Sequence, residues 1–74
     1  MDYREYIMAD PNIMLGKPVI RGTRITVEFI IQQLAQGAST EDLLKDYPGL
    51  TKEQIQACLA YSFEVISAET LLAG

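Results

Sequence analysis

Apolar positions change their rhythm at residue 26. Before it they come as short runs cut by turn formers: Tyr6–Ala9 stops at Asp10-Pro11-Asn12, Ile13–Leu15 at Gly16, and Pro18–Ile20 at Arg21-Gly22-Thr23. Runs this short, bracketed this way, predict short strands in a small sheet or ribbon. Pro18 has no N–H and belongs at a strand start or on an edge. An edge of such a ribbon can pair with another chain.

From Thr26 onward the spacing is helical. Val27, Ile30, Ile31 and Leu34 make one apolar face of a first helix, capped by Thr26, with Glu28 in its first turn and Gly37 as its stop. A second helix starts at Ser39, with Asp42 three positions on, and buries Leu43, Leu44 and Tyr47. Pro48-Gly49 ends it. A third starts at Thr51, with Gln54 completing a capping box, and runs to about residue 70. Its inward stripe is read as Ile55, Cys58, Leu59, Ser62 and Ile66, flanked by Phe63 and Val65. Its outer face is then Glu53, Ala57, Ala60, Glu64 and Ala68. The tail "LLAG" is too short to argue from. The prediction is a mainly α domain over residues 1–74: a β/turn segment (1–25), then a three-helix bundle (26–70). The "DYPGL" break between a short second and a longer third helix resembles a helix-turn-helix.

Size changes this picture. A chain of 74 residues buries only about 60% of the surface that its unfolded form exposes. Small scaffolds lean on a disulfide, a metal or a partner. One cysteine, Cys58, and no histidine rule out an internal disulfide and disfavour zinc. The 49% apolar content therefore favours a second chain, a copy of itself or another protein. The start of the sequence carries no signal-peptide pattern and no stretch is long enough for a membrane span, so a cytoplasmic protein is expected.

Charge is uneven. Residues 1–24 hold four basic and three acidic groups, +1, and residues 25–74 hold two and seven, −5, which together make the net −4. Half of the six basic residues, Lys17, Arg21 and Arg24, fall in "GKPVIRGTRIT" (16–26). Gly16 and Gly22 can adopt positive φ, and the helix start at Thr26 offers N–H groups to an anion. Lys17, Arg21, Gly22, Thr23 and Arg24 thus form a candidate anion- or partner-binding corner. Equally, the arginines can pair with Asp10, Glu28 or the second helix, and Thr23 can be a plain turn residue.

Read as a helix-turn-helix, the third helix would offer Thr51, Lys52 and Gln56 to DNA, with Gln56 suited to adenine and Lys52 to phosphate or guanine. It has no arginine, and Glu53 opposes phosphate. Tyr6, Ala57, Ala60 and Tyr61 are candidate interface residues, aromatic rings beside small side chains. Cys58 fits a buried thiol. Glu41, Asp42 and Asp46 fit a solvated helix face, and no nucleophile–base pair is visible. No enzyme, cofactor, metal or small-molecule substrate is expected.

The run "GKPVIRGTRITV", the "DYPGL" turn and the closing "LAY" together resemble the small prokaryotic family known as domain of unknown function 433, over roughly residues 5–65. The resemblance implies a homeodomain-like three-helix fold behind a short β segment. Some members of that family are regarded as antitoxins whose partners are PIN-like ribonucleases. The resulting expectation is a dimeric, antitoxin-like interaction protein that binds such a nuclease and also operator DNA. The alternatives are a helix-turn-helix regulator without a toxin partner, and a purely structural module.

Overall fold

The computed structural model describes the backbone of residues 2–73 and the side chains of residues 2–68. Three helices follow a two-stranded antiparallel ribbon, as the pattern predicts. Strand β1 (Ile7–Met8) pairs with β2 (Val19–Ile20), with Ile7 opposite Ile20 and Met8 opposite Val19. Ile7, Val19 and Ile20 are buried, so the ribbon is a wall of the core.

The chain then turns tightly from β2 into α1 (Val27–Ala35). The Thr23 hydroxyl donates to the Ile20 carbonyl at 2.7 Å and accepts from the Ile25 N–H at 3.0 Å. Gly22 supplies the positive φ of +81° that this corner needs, with open space where a Cβ would stand. Val27 N–H donates to the Pro18 carbonyl, and the Thr26 hydroxyl accepts from Phe29 N–H. Strand and helix are thereby stitched together at both ends of the turn.

The helix starts follow the caps read from sequence. At α2 (Thr40–Asp46) the Ser39 hydroxyl accepts from Asp42 N–H while the Asp42 carboxylate accepts from Ser39 N–H. At α3 (Lys52–Ala73) Thr51 and Gln54 exchange the same pair of bonds. Val27, Ile30, Leu43, Leu50, Ile55, Ala57 and Cys58 join Ile7 and Ile20 of the ribbon in one core. Phe29 meets Tyr47 edge to face across α1 and the end of α2.

Two expectations change. Ile13–Leu15 is no strand: Met14–Gly16 forms a single 3-10 turn, with Gly16 N–H bonded to the Ile13 carbonyl and Lys17 N–H to the Met14 carbonyl. Met14, Leu15 and Gly16 all have positive φ, at 50°, 60° and 81°. For the two non-glycine residues that conformation costs about 1–2 kcal/mol each. The stripe on α3 is also rotated from its predicted phase. Ile55 and Cys58 do point inward, Ser62 is half-buried on the groove side and donates back to the Cys58 carbonyl, and Leu59 and Ile66 are 47% and 60% exposed, whereas Ala57 is fully buried. The cause is what the helix lies against: α3 packs on α1, on β1 and on the Tyr3–Glu5 turn together, so its buried arc takes in Ala57 and Tyr61.

Candidate functional site

The cationic corner is largely used by its own fold. Lys17 Nζ pairs with Glu28 Oε1 at 3.0 Å, in the open. One Arg21 nitrogen donates to the Arg4 carbonyl at 3.0 Å and, at the limit of range, to the Ile7 carbonyl at 3.5 Å. The Arg21 guanidinium thus clips the first turn and β1 to the end of β2, instead of pairing with a carboxylate. Thr23 and Gly22 form the turn itself. At the start of α1 the Val27 and Phe29 N–H groups already have acceptors. Among the described residues Arg24 is the corner cation with no hydrogen bond or ion pair inside the chain.

The helix-turn-helix candidates lie where the sequence puts them, at the exposed start of α3. Thr51 is spent on the cap. Lys52 and Gln56 are exposed. Leu59 and Phe63 follow Gln56 at three- and four-residue intervals, so all four side chains share one helix face. Leu59 is 47% and Phe63 71% exposed. The face that begins polar therefore becomes apolar within two turns.

The interface candidates separate. Tyr61 is half-buried, its ring edge to face with Tyr3 at 5.4 Å. Tyr6 packs against the core. Ala60 lines a shallow hollow of about 380 Å³ with Tyr3, Arg4 and Phe63. There a hydrogen bond to the Glu64 carboxylate raises the Tyr3 hydroxyl above its ordinary pKa near 10. Ala57 is a core residue and lies on no outer patch.

Sequence reasoning missed three exposed apolar groups. Leu15 stands 95% exposed at the tip of the left-handed turn. Phe63 and Leu59 stand on the outer side of α3. Val65 and Ile66, also exposed, line an apolar groove of about 520 Å³ between α1 and α3, with Pro18, Val27, Ile31 and Tyr61. For α3 a signal existed: Lys52, Gln56, Leu59 and Phe63 repeat at 4-3-4. For Leu15 there was only its place before Gly16.

Burial pushes the Cys58 thiol up to about 11, which leaves it protonated and inert at neutral pH. Among the described residues no three of His, Cys, Asp and Glu come together as a metal would require, and no helix is long and apolar enough to cross a membrane.

Comparison with known proteins adds the following. The family model described as "Protein of unknown function (DUF433)" matches residues 7–62, from β1 into the middle of α3. The uncharacterized protein y4eO of Sinorhizobium fredii (strain NBRC 101917 / NGR234) is 37% identical over 59 residues, which make up 80% of this chain and 27% of that protein. The chain thus spans about a quarter of that relative's length. The crystal structure of a DUF433 member protein from Anabaena variabilis matches with a TM-score of 0.78 at 33% identity, over 93% of this chain and 69% of that one.

Proposed function

We infer that this chain, which belongs to the DUF433 family of proteins of unknown function, is a protein-binding module of the antitoxin type, without an enzymatic reaction of its own. The observation that carries this is the outer face of α3. A helix that reads DNA needs cations along its exposed side, because affinity comes largely from neutralised phosphates. Here Lys52 and Gln56 give way to Leu59 and Phe63, 47% and 71% exposed. A large ring held open beside a shallow hollow suits a partner protein, where a few aromatic anchors carry most of the binding energy. The proposed partner is a PIN-like ribonuclease, with Arg24 meeting carboxylates of its active site through charge-assisted bonds.

Co-expression with the product of the adjacent gene tests this. The two proteins are expected to co-purify, and Phe63→Asp and Arg24→Glu are each expected to weaken capture while the helical signal stays intact. A neighbour that is not nuclease-like, or a nuclease that fails to bind, overturns the reading.

Operator DNA is the second proposed ligand, supported by the exposed Lys52 and Gln56 on the first turns of α3. A dimer would double those few contacts and present them to two half-sites. Absence of any mobility shift at low salt with the upstream DNA removes this part and leaves the protein-binding part standing.

A further inference from the structure

Two unusual features lie close together. The first is a knob. Met14 and Leu15 hold left-handed backbone conformations that non-glycine residues rarely adopt, and the result is a leucine 95% exposed. Strain that drives an apolar side chain into water does nothing for the isolated fold, and such outliers concentrate where a chain meets something else. The second is a hole: the apolar groove between α1 and α3, bounded by Pro18, Val27, Ile31, Tyr61, Val65 and Ile66. Leu15 is three residues from Pro18, so the knob stands within about 10 Å of chain from the rim. Lys17, between them, is tied to Glu28 at the edge of the groove.

We propose that two copies of this chain associate about a two-fold axis by exchanging Leu15, each leucine entering the α1–α3 groove of the other copy. A two-fold interface must be self-complementary, with knob and hole both present on one patch. This region of the chain offers both, three residues apart. It is also electrically balanced: the chain carries −4, but the rim charges Lys17 and Glu28 neutralise each other. The acidic groups Glu41, Asp42 and Asp46 sit on α2, an element that contributes nothing to the groove. The carboxylates of α2 therefore stay clear of the contact.

Size sets the kind of contact. Met14, Leu15, Val65 and Ile66 are 44%, 95%, 42% and 60% exposed, roughly 300 Å² of apolar side-chain surface per copy at the burial energies of aliphatic side chains. Two copies bring together roughly 600 Å² of it, and with the polar rim the contact stays at or below the ~1,200 Å² low end of specific interfaces, the range of weak and reversible association. The groove of about 520 Å³ has ample room for a leucine and its neighbour. The proposal deepens the reading of the chain as a dimeric binding module by naming the surface that joins the copies, and it leaves Phe63 and Arg24 for the partner.

Sedimentation of the purified chain over a micromolar concentration series tests it, with Leu15→Asn and Val65→Lys alongside. Asparagine tolerates the left-handed conformation better than leucine does. Compared at concentrations below the dimer constant, where association adds nothing to the melt, the Leu15→Asn chain is therefore expected to melt no lower than the wild type, while its dimer constant weakens roughly tenfold to a hundredfold. Val65→Lys places a charge in the groove and is expected to weaken the dimer similarly with its helical signal retained. A wild-type chain that stays monomeric at high micromolar concentration overturns the interface, as does a Leu15→Asn chain that dimerises like the wild type. Capture of the nuclease by a wild-type chain that sediments as a monomer also overturns it, and leaves the partner reading standing.

Discussion

Replacing Arg21 and Arg24 in turn by methionine separates the two roles of the cationic corner. Each substitution keeps an apolar stem of similar length and removes a guanidinium. At position 21 it breaks a 3.0 Å bond to the Arg4 carbonyl and a marginal 3.5 Å bond to the Ile7 carbonyl. A hydrogen bond from a charged donor contributes roughly 1.5–3 kcal/mol where water is excluded. Arg21 is exposed, and once it is gone water can reach the freed carbonyls, so solvent reduces the figure to about 1 kcal/mol. For a domain of this length that lowers the melting temperature by about 4–8 °C. At position 24 no internal bond is lost, and surface changes of that kind stay within about 0.5 kcal/mol. Far-UV circular dichroism melts at one pH and salt concentration make the comparison. Because the Arg21 acceptors are neutral carbonyls and not carboxylates, the gap should persist at high salt. An Arg24→Met chain that melts as low as Arg21→Met, or an Arg21→Met chain that melts like the wild type, refutes this division of roles.

Two titrations follow from the same contacts. The Ser39 N–H, and then the Ser39 hydroxyl region, hold the Asp42 carboxyl below its ordinary value of 3.8. A depressed folded pKa means that this stabilisation is present above the unfolded value and is lost as pH falls through the folded one. Melting temperature should drop below about pH 4, and Asp42→Asn, which keeps an acceptor, should flatten that acid limb; identical limbs in the two chains would refute the assignment. For Cys58 the shift is upward, to about 11 from an ordinary 9.0. The unfolded thiol ionises first, so stability should decline as pH rises through that interval. A thiol reagent near pH 8 should label Cys58 only as fast as the native chain opens. Prompt stoichiometric labelling of the folded protein would contradict its burial.

The elements legible from sequence are those whose deciding contacts are local. Thr26, Ser39–Asp42 and Thr51–Gln54 cap their helices through bonds spanning three residues, which spacing alone reveals. The strands Ile7–Met8 and Val19–Ile20 were legible because turn formers bracket them. Ile13–Leu15 looked the same and is not a strand. A strand needs a neighbour, and Ile13–Leu15 pairs with neither β1 nor β2 but turns left-handed from Met14 to Gly16. An apolar triplet cannot declare whether a partner edge waits for it. The Arg21 acceptors were illegible for a related reason. They are backbone carbonyls, which every residue carries, so no letter in the chain distinguishes Arg4 and Ile7.

The phase of α3 is the more instructive failure. Ile55, Cys58, Leu59, Phe63, Val65 and Ile66 surround the helix on several sides, so apolar type cannot say which side the core takes. Packing decides it: β1, the Tyr3–Glu5 turn and α1 together claim the arc that holds Ile55, Ala57 and Cys58. Ala57, small enough to be overlooked as core, is fully buried, and Leu59, large enough to be taken for core, is half outside. What the claimed arc leaves over is informative. A helix serving one core needs one apolar stripe. This helix keeps Leu59, Phe63 and Ile66 exposed along one stripe at 4-3 spacing, and that stripe runs into the groove where Ile66 and Val65 lie side by side. Phe63, with most of its ring in water, is the clearest remainder. The two proposed contacts can be tested one at a time, through Phe63 for a foreign partner and through Leu15 with Val65 for a second copy, without touching the buried core residues Ile20, Ile30, Leu43 and Ile55.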